Sequence, residues 1–369
     1  MKHIAYILVF LALDTLAVVK INDIQVLGSH NSFKRYMNGF IVSVITSVCE
    51  LPDIGIPDYQ HRPLTQQLDR GVRAFEFDIF VDREGGRYKE YKVMSTLGED
   101  GNSYDAELEV PGFKVFHEPN IDFYVNCRLL TTCLRQLLDW SNLHPNHLPF
   151  LIQLETRSTD VAVLPGLDVS KASFLGVVPV VHFEAADLDA LDAEVLSVIP
   201  MNKLILPDDV RGTYGTLREA VLAGNWPSLA ASRGKFLIFL DPSSGVGSMY
   251  TNNHASLRGR PLFMSADPAS DEAAVIKRDS PLLYQEIVSL VSQGFIVRTR
   301  ADADSIEAIL NETRPRDLAL ASGAHIISTD FIEPTTRYGN NYVVKIPKGN
   351  PGRCNPVRGG SCTSADVAE

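Results

Sequence analysis

The sequence has no long run of lysine and arginine residues and no excess of positive charge. It contains 34 Lys and Arg residues against 45 Asp and Glu residues, which gives a formal net charge of -11. A protein that wraps nucleic acid needs a basic face to neutralise the phosphates, so this balance excludes nucleic acid as a partner. The same balance disfavours electrostatic adsorption to an anionic membrane.

No apolar stretch after the N-terminus approaches the length of a transmembrane helix. The first apolar run extends from Ile4 to Val19, follows Lys2 and is interrupted by Asp14. This pattern favours a cleaved secretory signal peptide over residues 1–17, with a buried first strand or helix as the alternative. We therefore expect a secreted, extracellular protein without a transmembrane segment.

Cysteine is scarce, with five residues in the chain. No CxxC pair and no Cys/His spacing typical of zinc is present, which excludes a common structural zinc site. In an oxidising compartment the close pairs Cys127–Cys133 and Cys354–Cys362 are expected to form disulfides. Cys49 is then left over, either free and buried or in another pairing.

Short apolar runs alternate with longer stretches of helical periodicity, and no internal repeat is evident. Such alternation predicts parallel strands joined by helices. The runs are Ile24–Gly28, Arg73–Phe80, Phe113–Phe116, Phe150–Leu154, Phe236–Leu240, Leu262–Ser265, Phe295–Thr299 and His325–Ser328. Eight runs predict an α/β fold of one domain, a distorted (β/α)8 TIM barrel over residues 18–348, followed by a disulfide-tied tail over residues 349–369.

A ninth run, Lys203–Leu206, is assigned to a long excursion because Pro207 and two aspartates follow it directly. The predicted helices are Leu64–Arg70, Leu129–Ser141, Asp187–Val198, Thr216–Ala223, Leu282–Gln293 and Ser305–Glu312.

Polar residues occupy the ends of the first four predicted strands, where a barrel carries its chemistry. They are His30 and Asn31, then Glu76 and Asp78, then His117 and Glu118, and finally Glu155. Because side chains alternate along a strand, Glu76 and Asp78 point to the same side. Two carboxylates in one barrel mouth repel each other, so this pattern calls for a cation between them.

Oxygen ligands of this kind suit a hard divalent cation, Ca²⁺ or Mg²⁺. The candidate metal ligands are Asn31, Glu76, Asp78 and Glu155. Three carboxylates around one ion favour Ca²⁺, or a site that also takes oxygens from the substrate. Taken alone, the Glu-x-Asp pair is better explained by an ion pair with Arg70 or Arg73.

His30 and His117 directly follow apolar runs and border the polar positions just described. Two imidazoles beside a metal ion can stabilise and protonate a phosphoryl group during its transfer. Each histidine alone is equally consistent with a structural hydrogen-bonding role. The complete set, however, predicts phosphodiester chemistry.

The series His30-Asn31-Ser32-Phe33, Glu76-Phe77-Asp78, His117 and Glu155 resembles the phospholipase C-like phosphodiesterase superfamily. Within it the chain is most similar to the secreted, calcium-dependent phosphoinositide phospholipase C type, from about Ile24 to Phe331. The resemblance implies a distorted TIM barrel that holds Ca²⁺ through the four candidate ligands.

The resemblance also implies roles for individual residues. His30 would stabilise the pentacovalent phosphorane, His117 would be the second phosphate-contacting acid or base, and Glu76 would accept the proton of the inositol 2-hydroxyl. That hydroxyl would expel diacylglycerol and leave a cyclic inositol phosphate, which water could open. Arg298 and Arg300, on one face of their strand, either contact phosphate or balance Asp302 and Asp304.

One departure from the family bears on the substrate. Eukaryotic signalling relatives place lysines where this chain has Phe239-Leu240-Asp241, so plain phosphatidylinositol is expected rather than its bisphosphate. Alternatives on the same barrel are hydrolysis of glycerophosphodiesters or sphingomyelin, or a catalytically silent lipid-binding role. We expect a monomer that meets phospholipid at a membrane or micelle surface through an apolar rim at Phe40-Ile41-Val42 or Phe123-Tyr124, although core packing also explains these aromatics.

Overall fold

The computed structural model describes residues 18–49, 59–96, 98–119, 121–158, 169–176, 178–303, 305–335, 338–347 and 351–369. The predicted signal peptide over residues 1–17, Asp304 and the side chain of Cys49 lie outside this description. In the described part of the chain, no helix is both long enough and apolar enough to cross a bilayer.

A nearly closed barrel of eight parallel strands forms the centre of the molecule. The strands of the described residues are β1 (Ile24–Ser29), β2 (Val72–Phe80), β3 (Lys114–Val115), β4 (Phe150–Thr156), β5 (Phe236–Asp241), β6 (Phe263–Met264), β7 (Val275–Lys277), β8 (Ile296–Arg300), β9 (Ile326–Thr329) and β10 (Gly352–Cys354). The barrel order is β6-β5-β4-β2-β1-β9-β8-β7, and a parallel bridge between Ser265 and Val275 joins the two ends. The predicted TIM barrel is thus confirmed.

Burial explains why these segments become strands. All nine residues of β2 are buried, which is typical of a parallel sheet covered on both faces. Phe75, Phe77 and Ile79 belong to the main hydrophobic core. Glu76 and Asp78 alternate with them and therefore lie on the opposite face of β2.

Helices surround the barrel. They are α1 (Gly39–Cys49), α2 (Leu64–Asp69), α3 (Lys92–Thr96), α4 (Leu130–Leu143), α5 (Val169–Phe174), α6 (Ala185–Val198), α7 (Pro207–Arg211), α8 (Leu217–Leu222), α9 (Leu229–Ser232), α10 (Val246–Thr251), α11 (Tyr284–Gln293), α12 (Ile306–Leu310) and α13 (Arg314–Ala321). Helix α11 buries Ile287, Leu290 and Val291, and it ends at Gly294, whose φ of 106° suits a left-handed C-cap. All six predicted helices are present, with ends shifted by a few residues.

Two barrel strands differ from the prediction. The run Phe113–Phe116 contributes only β3, which pairs antiparallel with the end of β2 and lies outside the parallel barrel. The missing barrel strand is β7 (Val275–Lys277), which pairs with β8. A three-residue strand is too short for the apolar pattern to distinguish it from a loop, and the fully described connection from β6 to β7 contains no helix. These short strands are the source of the barrel's distortion.

The run Lys203–Leu206 is not a barrel strand, as predicted. A short 3-10 helix over Met201–Lys203 ends at the first residue of this run, and the run touches β5 through a single bridge from Leu204 to Phe236.

The C-terminal segment is attached to the start of the barrel. Strand β10 pairs antiparallel with β1, and both predicted disulfides, Cys127–Cys133 and Cys354–Cys362, are formed. The Glu369 carboxylate accepts hydrogen bonds from the Arg73 guanidinium, which is 3% exposed, and from the Leu148 backbone N–H. The N-terminal end of the barrel is therefore closed by the chain's own tail.

Candidate active site

Strand register places a row of carboxylates at one level of the barrel mouth. Asp78 of β2 lies beside Glu155 of β4, which lies beside Asp241 of β5. Glu76, two residues before Asp78, lies on the same face of β2. The strand order thus brings together carboxylates that are up to 165 positions apart in the chain.

Glu76, Asp78 and Glu155 form a cluster that could hold a metal ion. One carboxylate oxygen from each lies within 4.8 Å of the others. Asp78 Oδ1 is buried and accepts no hydrogen bond from the described residues, so the cluster retains an unused oxygen ligand. Burial raises the pKa of Glu76 to about 7, and burial together with Glu155 raises the pKa of Asp78 well above its usual value. A divalent cation would relieve this repulsion.

The carboxylates of the cluster are also paired with arginines, but not with those predicted. Arg70 contacts Glu333 and Arg73 contacts Glu369, both away from the cluster. The ion-pair interpretation with Arg70 or Arg73 is therefore wrong in its partners.

Arg298 is the arginine that contacts Glu76. Its Nη2 donates to Glu76 Oε2 at 2.7 Å and to Ser328 Oγ at 3.2 Å, and its Nη1 bonds Asp279. Gln153 Nε2 donates to the other Glu76 oxygen, Oε1, at 2.9 Å. Both oxygens of Glu76 are thereby fixed in direction.

Arg157, just beyond the end of β4, contacts the rest of the cluster. Its Nη1 lies 3.0 Å from Glu155 Oε1 and 3.4 Å from Asp78 Oδ2, and its Nη2 bonds Glu118. Burial acts to lower the pKa of Arg157, but the three carboxylates outweigh burial and raise it. Glu118 thus contacts a guanidinium next to the cluster.

His30 follows β1 and is held by a buried carboxylate. Its Nδ1 lies 2.6 Å from Asp330 Oδ1, just after β9, and 3.0 Å from the Tyr59 hydroxyl. Burial, with the charges of Arg300, Arg298 and His117, lowers the pKa of His30 well below its ordinary value. Asp330 and Tyr59 both contact Nδ1, so Nε2 is the ring nitrogen that remains for a ligand.

Asn31 adopts a left-handed backbone conformation, with φ of 45°, which asparagine tolerates better than most residues. Its side-chain amide donates to the Tyr59 hydroxyl at 2.9 Å. The next residue, Ser32, exchanges hydrogen bonds with the backbone of Glu76 and so holds this turn against β2. Asn31 is 2% exposed, and its turn lies next to β2, the strand that carries Glu76 and Asp78.

His117 reaches the mouth from the loop that follows β3. Its Nδ1 lies 2.9 Å from Asp122 Oδ2, which also accepts from Lys34 Nζ at 2.5 Å. Burial acts to raise the pKa of Asp122, but Lys34 and His117 together lower it, so Asp122 is ionised. His30 and His117 therefore have the same arrangement, with one ring nitrogen on a buried aspartate.

The opposite side of the mouth is basic. Lys277 and Arg298 are paired neighbours on β7 and β8, and Arg300 lies two residues further along β8. Arg300 Nη2 lies 3.2 Å from Asp330 Oδ2, whereas Lys277 bonds Asp241. The barrel register thus divides the mouth into an acidic half on β2, β4 and β5 and a basic half on β7 and β8.

A cavity of about 760 Å³ opens beside the His30 cluster. Tyr59, His61 and Asp330 line it toward the barrel, and Arg35 and Phe331 contribute to its walls. The space is large enough for a sugar-sized ligand next to His30.

Sequence reasoning missed several residues of this site. They are Tyr59, Asp122, Arg157, Lys277 and Asp330. For two of them a signal was present: Asp330 follows a predicted strand, and Lys277 follows the apolar run Ala273–Ile276. Tyr59 and Asp122 stand in loops, where periodicity carries no signal, and Arg157 lies three residues beyond the predicted strand Phe150–Leu154.

Comparison with known proteins agrees with this architecture. The sequence model of a family described as Ca²⁺-dependent phosphoinositide phospholipase C matches residues 19–356. No curated protein matches the chain in sequence.

Solved structures are similar at low sequence identity. One is a calcium-dependent phosphoinositol-specific phospholipase C from a Gram-negative bacterium, Pseudomonas sp. The identity is 15%, the TM-score is 0.52, and the match covers 92% of this chain and 97% of that one. Another is a Ca²⁺-dependent phosphatidylinositol-specific phospholipase C from Streptomyces antibioticus. Here the identity is 17%, the TM-score is 0.52, and the coverage is 85% and 95%. At these identities the likeness establishes the fold.

Proposed function

The chain belongs to the Ca²⁺-dependent phosphoinositide phospholipase C family, and on this premise we propose that it cleaves phosphatidylinositol to diacylglycerol and a cyclic inositol phosphate. The observation that carries the proposal is the division of the mouth. Two carboxylate-held imidazoles, His30 and His117, stand where an acidic half meets a basic half. A phosphodiester needs such a combination, because negative charge and protons must both be handled in one step.

The residues fit calcium. Glu76, Asp78 and Glu155 offer converging oxygens, and Asp78 Oδ1 has no hydrogen-bond donor among the described residues. Asn31 is our candidate for the fourth ligand through its side-chain oxygen, since its amide nitrogen donates to Tyr59. Calcium accepts six to eight oxygen ligands in flexible geometry, whereas Mg²⁺ demands a near-ideal octahedron, so this irregular set favours calcium. When bound, calcium would lower the pKa of the inositol 2-hydroxyl and neutralise charge on the phosphate.

The proton transfers are assigned to side chains already fixed in direction. The 2-hydroxyl oxygen forms a bond to phosphorus, and its proton passes to a carboxylate, for which Glu76 is our candidate. The phosphorus–oxygen bond to diacylglycerol breaks, and the departing oxygen takes a proton from the second group, for which His117 is our candidate. Asp122 keeps His117 oriented for this transfer because it occupies the opposite ring nitrogen.

His30 and the basic half would contact the phosphate itself. Asp330 holds the ring of His30, so that Nε2 is directed away from the buried carboxylate. Arg298 and Arg300 add positive charge along β8. These fixed charges would stabilise the phosphorane more than the ground-state diester, because negative charge increases in the transition state.

The last residue of β5, Asp241, affects which lipid headgroup the site can accept. Asp241 lies in the acidic row and is bonded by Lys277. A carboxylate at this position would repel a phosphate on the inositol ring and would accept hydrogen bonds from ring hydroxyls. We therefore propose unphosphorylated phosphatidylinositol, rather than its bisphosphate, as the substrate.

Extracellular action is part of the proposal. Two disulfides, Cys127–Cys133 and Cys354–Cys362, are typical of an oxidising compartment. Such a compartment also supplies calcium at concentrations that a site of modest affinity needs.

The test is turnover of labelled phosphatidylinositol vesicles, with and without EDTA, followed by analysis of the water-soluble product. We expect cyclic inositol phosphate in calcium and a loss of activity of at least 100-fold in EDTA. Full activity in EDTA would contradict the calcium assignment. Sphingomyelin and glycerophosphoinositol are tested in parallel as substrates. Release of ceramide or glycerol phosphate from these, without turnover of phosphatidylinositol, would assign the barrel to another phosphodiester, and lipid binding without turnover of any substrate would indicate a silent barrel.

A further inference from the structure

We propose that Arg157 is the resident counter-cation of the acidic cluster, and that a divalent ion binds by displacing its guanidinium from Asp78 and Glu155. The inference rests on the proposed function, because it takes Glu76, Asp78 and Glu155 as the calcium ligands. It assigns to Arg157 a role in setting calcium affinity.

The first support is that the guanidinium and the expected ion use the same carboxylates. Arg157 Nη1 lies 3.0 Å from Glu155 Oε1 and 3.4 Å from Asp78 Oδ2. These two residues are also members of the cluster whose oxygens lie within 4.8 Å of one another. A positive group at these oxygens repels a second cation, so the two compete.

The second support is burial. The Arg157 side chain is 11% exposed and that of Asp78 is 1% exposed, so water screens their charges poorly. Burying several carboxylates without a cation is costly, because their mutual repulsion adds to the loss of hydration. Arg157 lowers this cost in the metal-free protein, as Arg298 does at Glu76.

The third support is that the backbone of Arg157 is held in place and that its guanidinium has a further carboxylate partner. Arg157 donates its backbone N–H to the Ile79 carbonyl at 3.1 Å, which keeps the residue attached to β2. Its Nη2 bonds Glu118, the neighbour of His117. When Nη1 leaves Asp78 and Glu155, the guanidinium therefore stays close, held by Glu118, and it can return when the ion leaves.

The expected size of the effect follows from Coulomb's law. A unit charge about 6 Å from a divalent ion weakens binding of that ion roughly tenfold, even under water-like screening. Removing the charge of Arg157 should therefore tighten calcium binding by at least this factor.

The experiment compares wild type with Arg157→Met, Arg157→Gln and Arg157→Lys. Calcium affinity is measured by isothermal titration calorimetry, and thermal unfolding is followed in chelator and in calcium. Arg316→Met is the matched control, because its guanidinium contacts Asp317 and the Val343 carbonyl instead of the cluster. None of these readouts depends on catalytic activity.

We expect the Met and Gln variants to bind calcium roughly tenfold more tightly than wild type. In chelator they should unfold at lower temperature, and calcium should raise their unfolding temperature more than that of wild type. Lys keeps the charge but contacts fewer oxygens, so its calcium affinity should lie between these limits. Arg316→Met should behave as wild type.

Equal or weaker calcium binding in the folded Arg157 variants would overturn the inference while leaving the proposed function intact, provided that wild type binds calcium. If neither wild type nor any variant binds calcium, both proposals fail. If Met and Gln fold only in calcium, the need for a counter-cation is supported. If the Met and Gln variants do not fold at all, Arg157→Lys decides the question. Tighter calcium binding than in wild type supports the inference, and equal or weaker binding overturns it.

Discussion

His30 and His117 each place one ring nitrogen on a buried aspartate and leave the other for the barrel mouth. The partner of His30, Asp330, lies 300 positions away in the chain, whereas the partner of His117, Asp122, lies 5 positions away. Holding Nδ1 restricts the orientation of each ring, so Nε2 has a defined direction before any ligand binds. At the scale of residues, the site is thus organised by the carboxylates behind the imidazoles.

Asp330→Asn tests this organisation. The amide keeps the shape of the side chain but removes the charge that orients His30 and pairs with Arg300. We expect kcat to fall at least 100-fold, as for other carboxylates that orient a catalytic histidine. Calcium affinity should change less than threefold, since the described contacts of Asp330 do not include the acidic cluster.

The matched control is Asp317→Asn, an exposed aspartate on α13 that contacts Arg316. It should retain full turnover. A similar kcat in Asp330→Asn and wild type would show that Asp330 has only a structural role.

At the scale of elements, short strands decide which charges enter the mouth. Strand β7 has three residues, yet its last one, Lys277, begins the basic half. Strand β3 leaves the parallel barrel, and the loop after it delivers His117. An element of two or three residues gains little from its own hydrogen bonds, so neighbouring strands determine where it lies.

Helix α1 contains the first of the two segments predicted to form an apolar rim. It carries no charged residue, and it follows the His30 turn at the mouth. Ile41 and Ile45 are buried in a small cluster with Tyr91 and Phe123, whereas Phe40 is 52% exposed. Of the two predicted rim segments, the one at Phe123 is therefore part of the core, and the exposed Phe40 stays the candidate for a lipid contact.

Phe40→Ser tests the rim. Transfer of a half-exposed phenylalanine into lipid is worth about 1.5 kcal/mol, so turnover on phosphatidylinositol vesicles should fall roughly tenfold. Turnover of a monomeric short-chain phosphatidylinositol should be unchanged, because the site itself is intact.

Leu143→Ser is the control for Phe40→Ser. Leu143 is 79% exposed, but it lies at the end of α4 that leads into β4, on the opposite end of the barrel. Its variant should keep full activity on vesicles. Equal losses of vesicle turnover in Phe40→Ser and Leu143→Ser, or no loss in either variant, would exclude a specific lipid contact at Phe40.

At the scale of the whole molecule, a buried histidine links the last strands of the barrel to the segment before the first. His325 Nδ1 accepts the Val297 N–H of β8 at 3.0 Å, and Nε2 donates to the Asn22 carbonyl, just before β1, at 2.8 Å. The ring thus joins the last strands to the first. Burial lowers its pKa from 6.5 to about 4, because the charged ring would lose hydration and one of these bonds.

This shift predicts a pH-dependent contribution to stability. The unfolded chain binds a proton at His325 below pH 6.5, while the folded protein does so only below about pH 4. Stability from this group is therefore complete above pH 6.5 and is lost between 6.5 and 4, by about 1.4 kcal/mol per pH unit.

The measurement is urea unfolding of wild type and His325→Gln at several pH values. Wild type should lose stability relative to the variant as the pH falls through this window. The stability difference between wild type and variant is used because other groups titrate over the same range. Burial raises the pKa values of Glu194 and Asp302 to about 7, so these two carboxyls add stability as the pH falls. A constant difference from pH 7.5 to 4 would contradict the assignment.

The sequence by itself determined the barrel and the order of its main functional residues. Long buried strands such as β2 and β4 carry a strong apolar signal, and their polar ends place Glu76, Asp78 and Glu155 at one edge. Local spacing was also sufficient for both disulfides. These features depend on neighbouring residues, which a linear sequence displays directly.

Only the tertiary structure decided which charges face one another. The pairing of Arg157 with the acidic cluster, of Asp330 with His30, and of Lys277 with Asp241 joins elements that are distant in the chain or lie outside regular strands. Barrel closure sets these contacts, because strand order and register fix which side chains share a level. The net charge of -11 reports only that acidic residues outnumber basic ones. The fold arranges the charged residues of the barrel mouth into an acidic half opposite a basic half.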